Sequence, residues 1–305
     1  MNVPKPTFVL EISGLSSLID GLVGQGYKVV GPTVRDGAIV YDQVHRVQDL
    51  PLGWTEEQDA GTYRLKRRSD NALFGFNNGP HSWKGFLFPP REKLWEATQG
   101  SGGLRIIEGN GQGAPYAFLG VRACDLAAIQ VQDVVFINKR YTDSRYESRR
   151  GKAFIVAVNC GQAAKTCFCT SMNTGPRVNA GYDIALTEVI EEGSHYFYLE
   201  TGTEAGERLV ADLPVRRAEP EHEAASNACT ARAVKQMGRT LPAEGVKELL
   251  YRNYENPHWE EIAQRCLSCA NCTMVCPTCF CSRVEDVTDL TGDHAERWRE
   301  WDSCF

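Results

Sequence analysis

The chain lacks the material for several common chemistries. No window of its 305 residues offers the roughly 18 consecutive apolar residues of a membrane span. Its first residues, MNVPKPTFVLEISG, hold no long apolar run and do not read as a secretory signal. A cytoplasmic location with no membrane partner is therefore expected. The net charge is only −6, without the basic excess of a nucleic-acid binder. The six histidines are scattered, and none pairs at metal-ligand spacing. There is no Ser-His-Asp arrangement and no Walker loop, so no catalytic residue is assigned. Hydrophobic content of 42% and charged content of 24% are ordinary for a globular protein, and the length suffices for two domains.

What the chain does have is cysteine. Twelve cysteines without an export signal point to metal binding in a reducing compartment rather than to disulfides. Cys266, Cys269, Cys272 and Cys276, followed by Pro277, read C-x2-C-x2-C-x3-C-P. This is the ferredoxin run. Three thiolates three residues apart curl around one 4Fe–4S cubane, the fourth ligand of that cluster comes from elsewhere, and the run's own fourth cysteine points away, toward a second cluster if there is one. A zinc ribbon needs two C-x2-C pairs far apart, and here they almost touch. Covalent haem needs histidine after the second cysteine of a pair; Ala270, Thr273 and Phe280 stand there instead.

A second pattern is doubled. Cys160-x6-Cys167-Phe168-Cys169 recurs as Cys272-x6-Cys279-Phe280-Cys281. The run 153–158 is the clearest buried strand and leads directly into Asn159-Cys160, while Cys124 follows another strand, 116–119. Were these strands parallel neighbours, Cys124 and Cys160 would share one sheet edge, and the loop 161–170 would fold Cys167 and Cys169 back over them. A second 4Fe–4S centre on these four cysteines is expected, with Arg122 and the amides of Gly161 and Thr170 compensating its charge. The alternative is four packed thiols in a tight loop, since cysteine is often buried. Cys276, Cys279, Cys281 and Cys304 remain for further ligation, and Cys229 reads as a buried structural thiol.

The rest of the chain predicts an α+β protein. A mixed-sheet domain over 1–218 carries the first cysteine set, and helices and a ferredoxin-like iron–sulfur domain follow over 219–305. Strands are expected near 27–30, 38–41, 63–66, 182–190 and 195–199, and helices over 126–136, 203–213, 221–237, 242–251 and 258–264. The segment 91–98, after Pro89-Pro90, is expected to start a helix. The arginine-rich stretch 141–152 reads as a solvated face or a docking surface. Gly109 to Gly113 approaches a dinucleotide fingerprint, but Pro115 and a strand follow where a helix is needed. A turn between two strands is expected there.

These motifs carry a resemblance. Gly120-Val-Arg-x-Cys-Asp125, Asn159-Cys160, Thr166-Cys-Phe-Cys-Thr-Ser-Met172, Thr174-Gly-Pro176, Gly181-x-Asp183-x-Ala-Leu-Thr-Glu188, Cys276-Pro-Thr-Cys-Phe-Cys281 and Trp301-Asp-Ser-Cys-Phe305 follow in the order found in one family. The chain resembles the iron–sulfur beta subunit of sulfhydrogenase-type soluble NiFe hydrogenases, and is similar to the iron–sulfur electron-transfer subunit of anaerobic sulfite reductase. The resemblance implies an electron-transfer role with no active site in this chain. It would work between a flavin subunit that handles NAD(P)H and a hydrogenase or other reductase subunit. Family members continue beyond the Trp-Asp-Ser-Cys-Phe segment into a second cysteine run, so this chain is expected to be a fragment or to lack the second C-terminal cluster. Two readings of other classes stand beside this one: an enzyme binding a nucleotide or substrate near Arg122 and Asp125, and a zinc-stabilised interaction module.

Overall fold

A computed structural model describes residues 6–59, 61–109, 113–137, 140–191 and 193–303. In chain order the regular elements are β1 (Thr7–Glu11), α1 (Gly14–Gly24), β2 (Lys28–Arg35), β3 (Ala38–Gln43), β4 (Trp54–Asp59), β5 (Thr62–Arg67), α2 (Lys84–Leu87), β6 (Arg91–Gly100) and β7 (Gly103–Glu108). They continue with β8 (Tyr116–Val121), α3 (Ala123–Phe136), α4 (Ser144–Lys152), β9 (Phe154–Val158), β10 (Ile184–Glu191), β11 (Ser194–Thr201), α5 (Glu204–Ala211), β12 (Val215–Arg217) and α6 (Pro220–Gln236). The last are α7 (Val246–Arg252), α8 (His258–Gln264), α9 (Asn271–Val275), β13 (Ser282–Thr288) and β14 (His294–Trp301). The expected α+β class is found. None of the described helices is long and apolar enough to cross a membrane.

Two compact units interleave along the chain. The first comprises 1–81, 114–128 and 151–243, and the second 82–113, 129–150 and 244–305. A single cut at 218/219 is what composition suggests; long-range strand pairing groups the segments differently.

The first unit is built on an eight-stranded mixed sheet in the order β12-β1-β11-β10-β9-β8-β2-β3. Its centre is parallel: β2, β8, β9 and β10 run alongside one another. All five residues of β9 are buried, as expected of a strand covered on both faces. On α1, Leu15, Leu18, Ile19 and Leu22 form one apolar stripe and join the core with Leu119, Val156, Leu186 and Phe197. Strands β10 and β11 form the expected hairpin, with Gly193 in the left-handed region that glycine tolerates best.

The second unit holds a four-stranded antiparallel sheet in the order β13-β14-β6-β7. Here 91–98 is not helical: it lies within β6, whose Trp95 pairs with Glu108 on one side and Arg297 on the other. Pairing with a strand some two hundred residues away overrides the local signal from the two prolines, a familiar outcome for strands. Strands flank the Gly109–Gly113 stretch on both sides, while residues 110–112 lie outside the described residues.

The arginines of α4 do not form a solvated face either. Arg145 and Arg149 both meet Glu92, and Arg299 bridges Glu92 and Asp143. The Glu92 side chain is only 7% exposed, so this charge cluster is internal. Beside it, Phe136 packs on Phe88 at 4.7 Å and on Tyr146 at 4.8 Å between ring centres.

Candidate metal centres

The first cysteine set is assembled by two neighbouring parallel strands. Val121 of β8 pairs with Ala157 of β9. Cys124 and Cys160 each lie three residues beyond that pair, so both leave the sheet at its C-terminal edge, where open parallel sheets bind ligands. The loop after Cys160 then folds back. The Cys160 amide donates to the Pro176 carbonyl at 3.1 Å, the Cys167 amide to Ala164 at 3.0 Å and the Thr174 amide to Cys169 at 3.0 Å. A Cβ on Gly175 would be crowded, at 3.0 Å from Cys169 Sγ and 3.2 Å from Ala123 Cβ.

Cys124, Cys160, Cys167 and Cys169 all line one cavity of about 260 Å³. Arg122, Asn77, Asn78, Phe168, Met172, Pro176 and Met237 complete its wall. Asn77 is held by Glu56 through its amide at 2.8 Å and its side chain at 3.0 Å, and its Oδ1 faces Cys167 Sγ at 3.9 Å. Asn159, just before Cys160, is locked by Thr187 Oγ1 and the Val178 amide, both at 2.8 Å. The cysteine-bearing backbone is thus braced from several sides.

Burial pushes these thiols up. The Cys169 thiol rises to about 11, through burial first and then the neighbouring Cys160 and Cys167. Burial also raises Cys167 and Cys160; the Arg122 guanidinium opposes it at Cys160 by charge and hydrogen bond. Cys124 is well above the ordinary thiol range, from burial, then Asp125 and the other cysteines. It is exposed by area yet densely surrounded, and the open volume it borders accounts for both.

Four thiols gathered where none ionises readily alone suit a cationic centre, whose binding releases their protons. No three cysteine sulfurs among the described residues lie within 4.8 Å of one another. A tetrahedral zinc with 2.3 Å bonds holds its sulfurs about 3.8 Å apart, and the four sulfurs are not gathered that closely. Arg122, a residue of this wall, also carries a buried Nε that finds no acceptor. By donor chemistry, and by the convergence of four thiols on one cavity that Arg122 also lines, the residues fit a four-thiolate iron–sulfur cluster.

The second set is local. Cys266, Cys269 and Cys272 are exposed, and Cys276, Cys279 and Cys281 are half-buried. Ser268 and Ala270 take left-handed backbone, at φ 52° and 57°, which turns the run tightly between its cysteines. The Ser268 amide donates to Cys266 Sγ at 3.4 Å, the kind of N–H···S bond that tunes a cluster. Burial would raise the Cys276 thiol, but hydrogen bonds from Thr278 and Cys279 outweigh it and bring it below its ordinary value. Behind the run, Lys84 donates to the Met274 carbonyl at 3.0 Å and sits 3.8 Å from the centre of the Trp301 ring. Burial lowers this ammonium, with the Cys279 and Cys276 thiolates opposing. Cys304 lies outside the described residues.

The structure therefore brings Cys124, Cys160, Cys167 and Cys169 around one space and keeps Cys266 to Cys281 on a single continuous segment. Sequence reasoning did not find Asn77, Asn78, Met172 or Met237, which come from separate loops and a helix end. Arg122 was legible, because it precedes Cys124 at a strand end. Of the two amides expected to donate to sulfur, that of Thr170 lowers the Cys169 thiol, whereas Gly161 borders a different cavity, with Arg68, Glu188 and Arg232. Glu96, His294 and Glu296 also cluster at metal-ligand distance, but the Lys93 ammonium already bridges Glu96 at 2.6 Å and Glu296 at 2.9 Å. Cys229 is buried, as expected of a structural thiol.

Residues 265–305 match the family profile of the 4Fe-4S dicluster domain. The C-terminal region accordingly carries a 4Fe–4S cofactor and serves electron transfer. The chain is 31% identical over 286 residues to sulfhydrogenase 2 subunit beta of Pyrococcus furiosus, an alignment spanning 91% of this chain and 73% of that protein. No solved structure matches.

Proposed function

The chain belongs to the family of sulfhydrogenase iron–sulfur beta subunits, and from this premise we propose that it relays electrons between an NAD(P)H-linked flavoprotein subunit and a hydrogenase catalytic module. In this reading Cys266, Cys269 and Cys272 hold one 4Fe–4S cluster. Cys276, Cys279, Cys281 and Cys304 remain for its fourth ligand and for further ligation. A second centre sits on Cys124, Cys160, Cys167 and Cys169. The observation that carries the reading is the convergence of those four cysteines on one cavity in a chain that also bears a dicluster domain.

An iron–sulfur cluster supplies one-electron transfer at a potential tuned by hydrogen bonds, charge and solvent access. The protein's own residues set those conditions. Met172, Met237 and Phe168 form an apolar part of the cavity wall. Asn159 holds the backbone after the cysteine loop by accepting from the Val178 amide, and Asn77, fixed by Glu56, faces the Cys167 sulfur. At the C-terminal run, the amide of Ser268 stabilises negative charge on the Cys266 sulfur.

The test is iron and acid-labile sulfide per chain in anaerobically purified protein. Cys160→Ser and Cys269→Ser should each lose about one cluster's worth, independently, and the protein should show broad brown absorption. Unchanged iron in Cys160→Ser overturns the second centre. A colourless zinc protein overturns the relay altogether. NADH or NADPH alone should leave the clusters oxidised until a flavoprotein partner is added; rapid bleaching without one would favour an enzyme reading.

A further inference from the structure

We infer that Arg122 is the positioning residue that sets the reduction equilibrium of the four-cysteine centre, an inference that rests on the centre proposed above. Arg122 is 2% exposed. Its guanidinium is held by neutral groups: Nη2 donates to the carbonyls of Phe74 at 2.8 Å and Phe76 at 3.0 Å, and Nη1 to Asn159 at 3.4 Å. The Phe76 and Phe74 rings lie 5.1 and 5.9 Å from its central carbon. Nε alone finds no acceptor. A buried charged group with an unmet donor is costly unless something supplies the partner.

The side chain that carries this unmet donor borders the cavity shared by the four cysteines, beside Cys160. A thiolate or cluster sulfide there is a negative partner for the guanidinium that already acts on Cys160 by charge and hydrogen bond. The same placement fixes the sign of the effect. Reduction adds one electron, delivered by the flavin-linked partner and passed on to the hydrogenase side, and so adds one negative charge to the centre. A cation held against it in a low-dielectric pocket favours the reduced form, and an N–H···S bond acts in the same direction. Arg122 therefore raises the potential of this centre relative to what its thiolates alone would set. The C-terminal run has the buried Lys84 near Cys276 and Cys279 instead of an arginine.

The experiment is an anaerobic redox titration of the full chain followed by electron paramagnetic resonance. Cys160→Ser first identifies the signal of the four-cysteine centre by its loss. Arg122→Gln should then shift that signal's midpoint downward by tenfold or more in the one-electron equilibrium, about 59 mV per tenfold. Arg122→Lys should shift it less, and the C-terminal signal should stay put. An iron-replete Arg122→Gln protein with an unmoved midpoint overturns the inference. Should that variant fail to take up iron, the wild-type chain decides: with arginine labelled by 15N, pulsed resonance should detect a guanidino nitrogen coupled to the reduced four-cysteine centre. A centre present without that coupling also overturns the inference. Cys160→Ser that keeps every wild-type signal overturns instead the centre on which the inference rests.

Discussion

The two cysteine sets share a Thr-Cys-Phe-Cys segment and the same spacing back to an upstream cysteine, yet they are built in opposite ways. The set at 124–169 hangs from the edge of a buried parallel sheet, and its thiols are pushed up by burial. The set at 266–281 sits on one exposed segment, where Cys276 is brought down by nearby hydrogen bonds. The first set lines a cavity walled by a sheet end and its loops. The second lies along one short segment with few buried side chains. The same short motif thus stands in a packed setting in one place and an exposed one in the other.

The largest expected effect separates the two. Stripping iron with a chelator should unfold the segment 266–281, because metal binding and local folding are one event where few apolar side chains are buried. The sheet around Cys160 should survive. Hydrogen exchange before and after chelation reads this directly. Equal protection of both regions after iron loss would erase the distinction.

Next in size is the charge cluster that distinguishes the second unit from the apolar core of the first. Glu92→Gln removes the shared anion of Arg145, Arg149 and Arg299. Breaking a buried pair of this kind costs about 3–5 kcal/mol. The loss should appear in urea unfolding of the second unit. A change under about 1 kcal/mol would mean the arginines find water instead.

A smaller effect sharpens the picture of the packed pocket. Gly175→Ala places a methyl 3.0 Å from Cys169 Sγ. Overpacking of this kind costs about 1–3 kcal/mol, and the displaced sulfur should lower iron loading at the four-cysteine centre while leaving the C-terminal centre filled. Iron analysis on a background of Cys269→Ser isolates that loss.

The smallest effect is acid sensitivity. Asp143 resists ionisation through burial, but the Tyr146 amide and Arg299 outweigh that and hold its carboxyl below the ordinary range. A depressed carboxylate contributes stability above its unfolded value near 3.9 and loses it as pH falls through the folded value. The second unit should therefore weaken below about pH 4, and Asp143→Asn should flatten that dependence. A wild-type and variant that track each other in acid would remove Asp143 from the account.

Much of the site was legible before any fold was known. The run 153–158 is apolar at every position, which marks a strand buried on both faces, and Cys160 follows it by necessity. The C-x2-C-x2-C-x3-C-P spacing is cluster chemistry written in local sequence. Less legible was 91–98, where prolines suggest a helix start while pairing with β14 makes a strand. The arginines of 141–152 look like a wet surface because the carboxylates that meet all three of them, Glu92 and Asp133, are distant or unremarkable in sequence.

What the sequence determined by itself was the donor chemistry: which residues are thiols, how far apart they stand along the chain, and which strands must be buried. Those properties are local, set by composition and by the two-residue repeat of a strand or the tight turn of a cysteine loop. What only the tertiary structure decided was which thiols share a space and what surrounds them. Cys124 and Cys160 meet because β8 and β9 are parallel neighbours, and Asn77 and Met237 join them from two distant parts of the chain. No periodicity records such meetings, because they are selected by the packing of a whole sheet rather than by any segment within it.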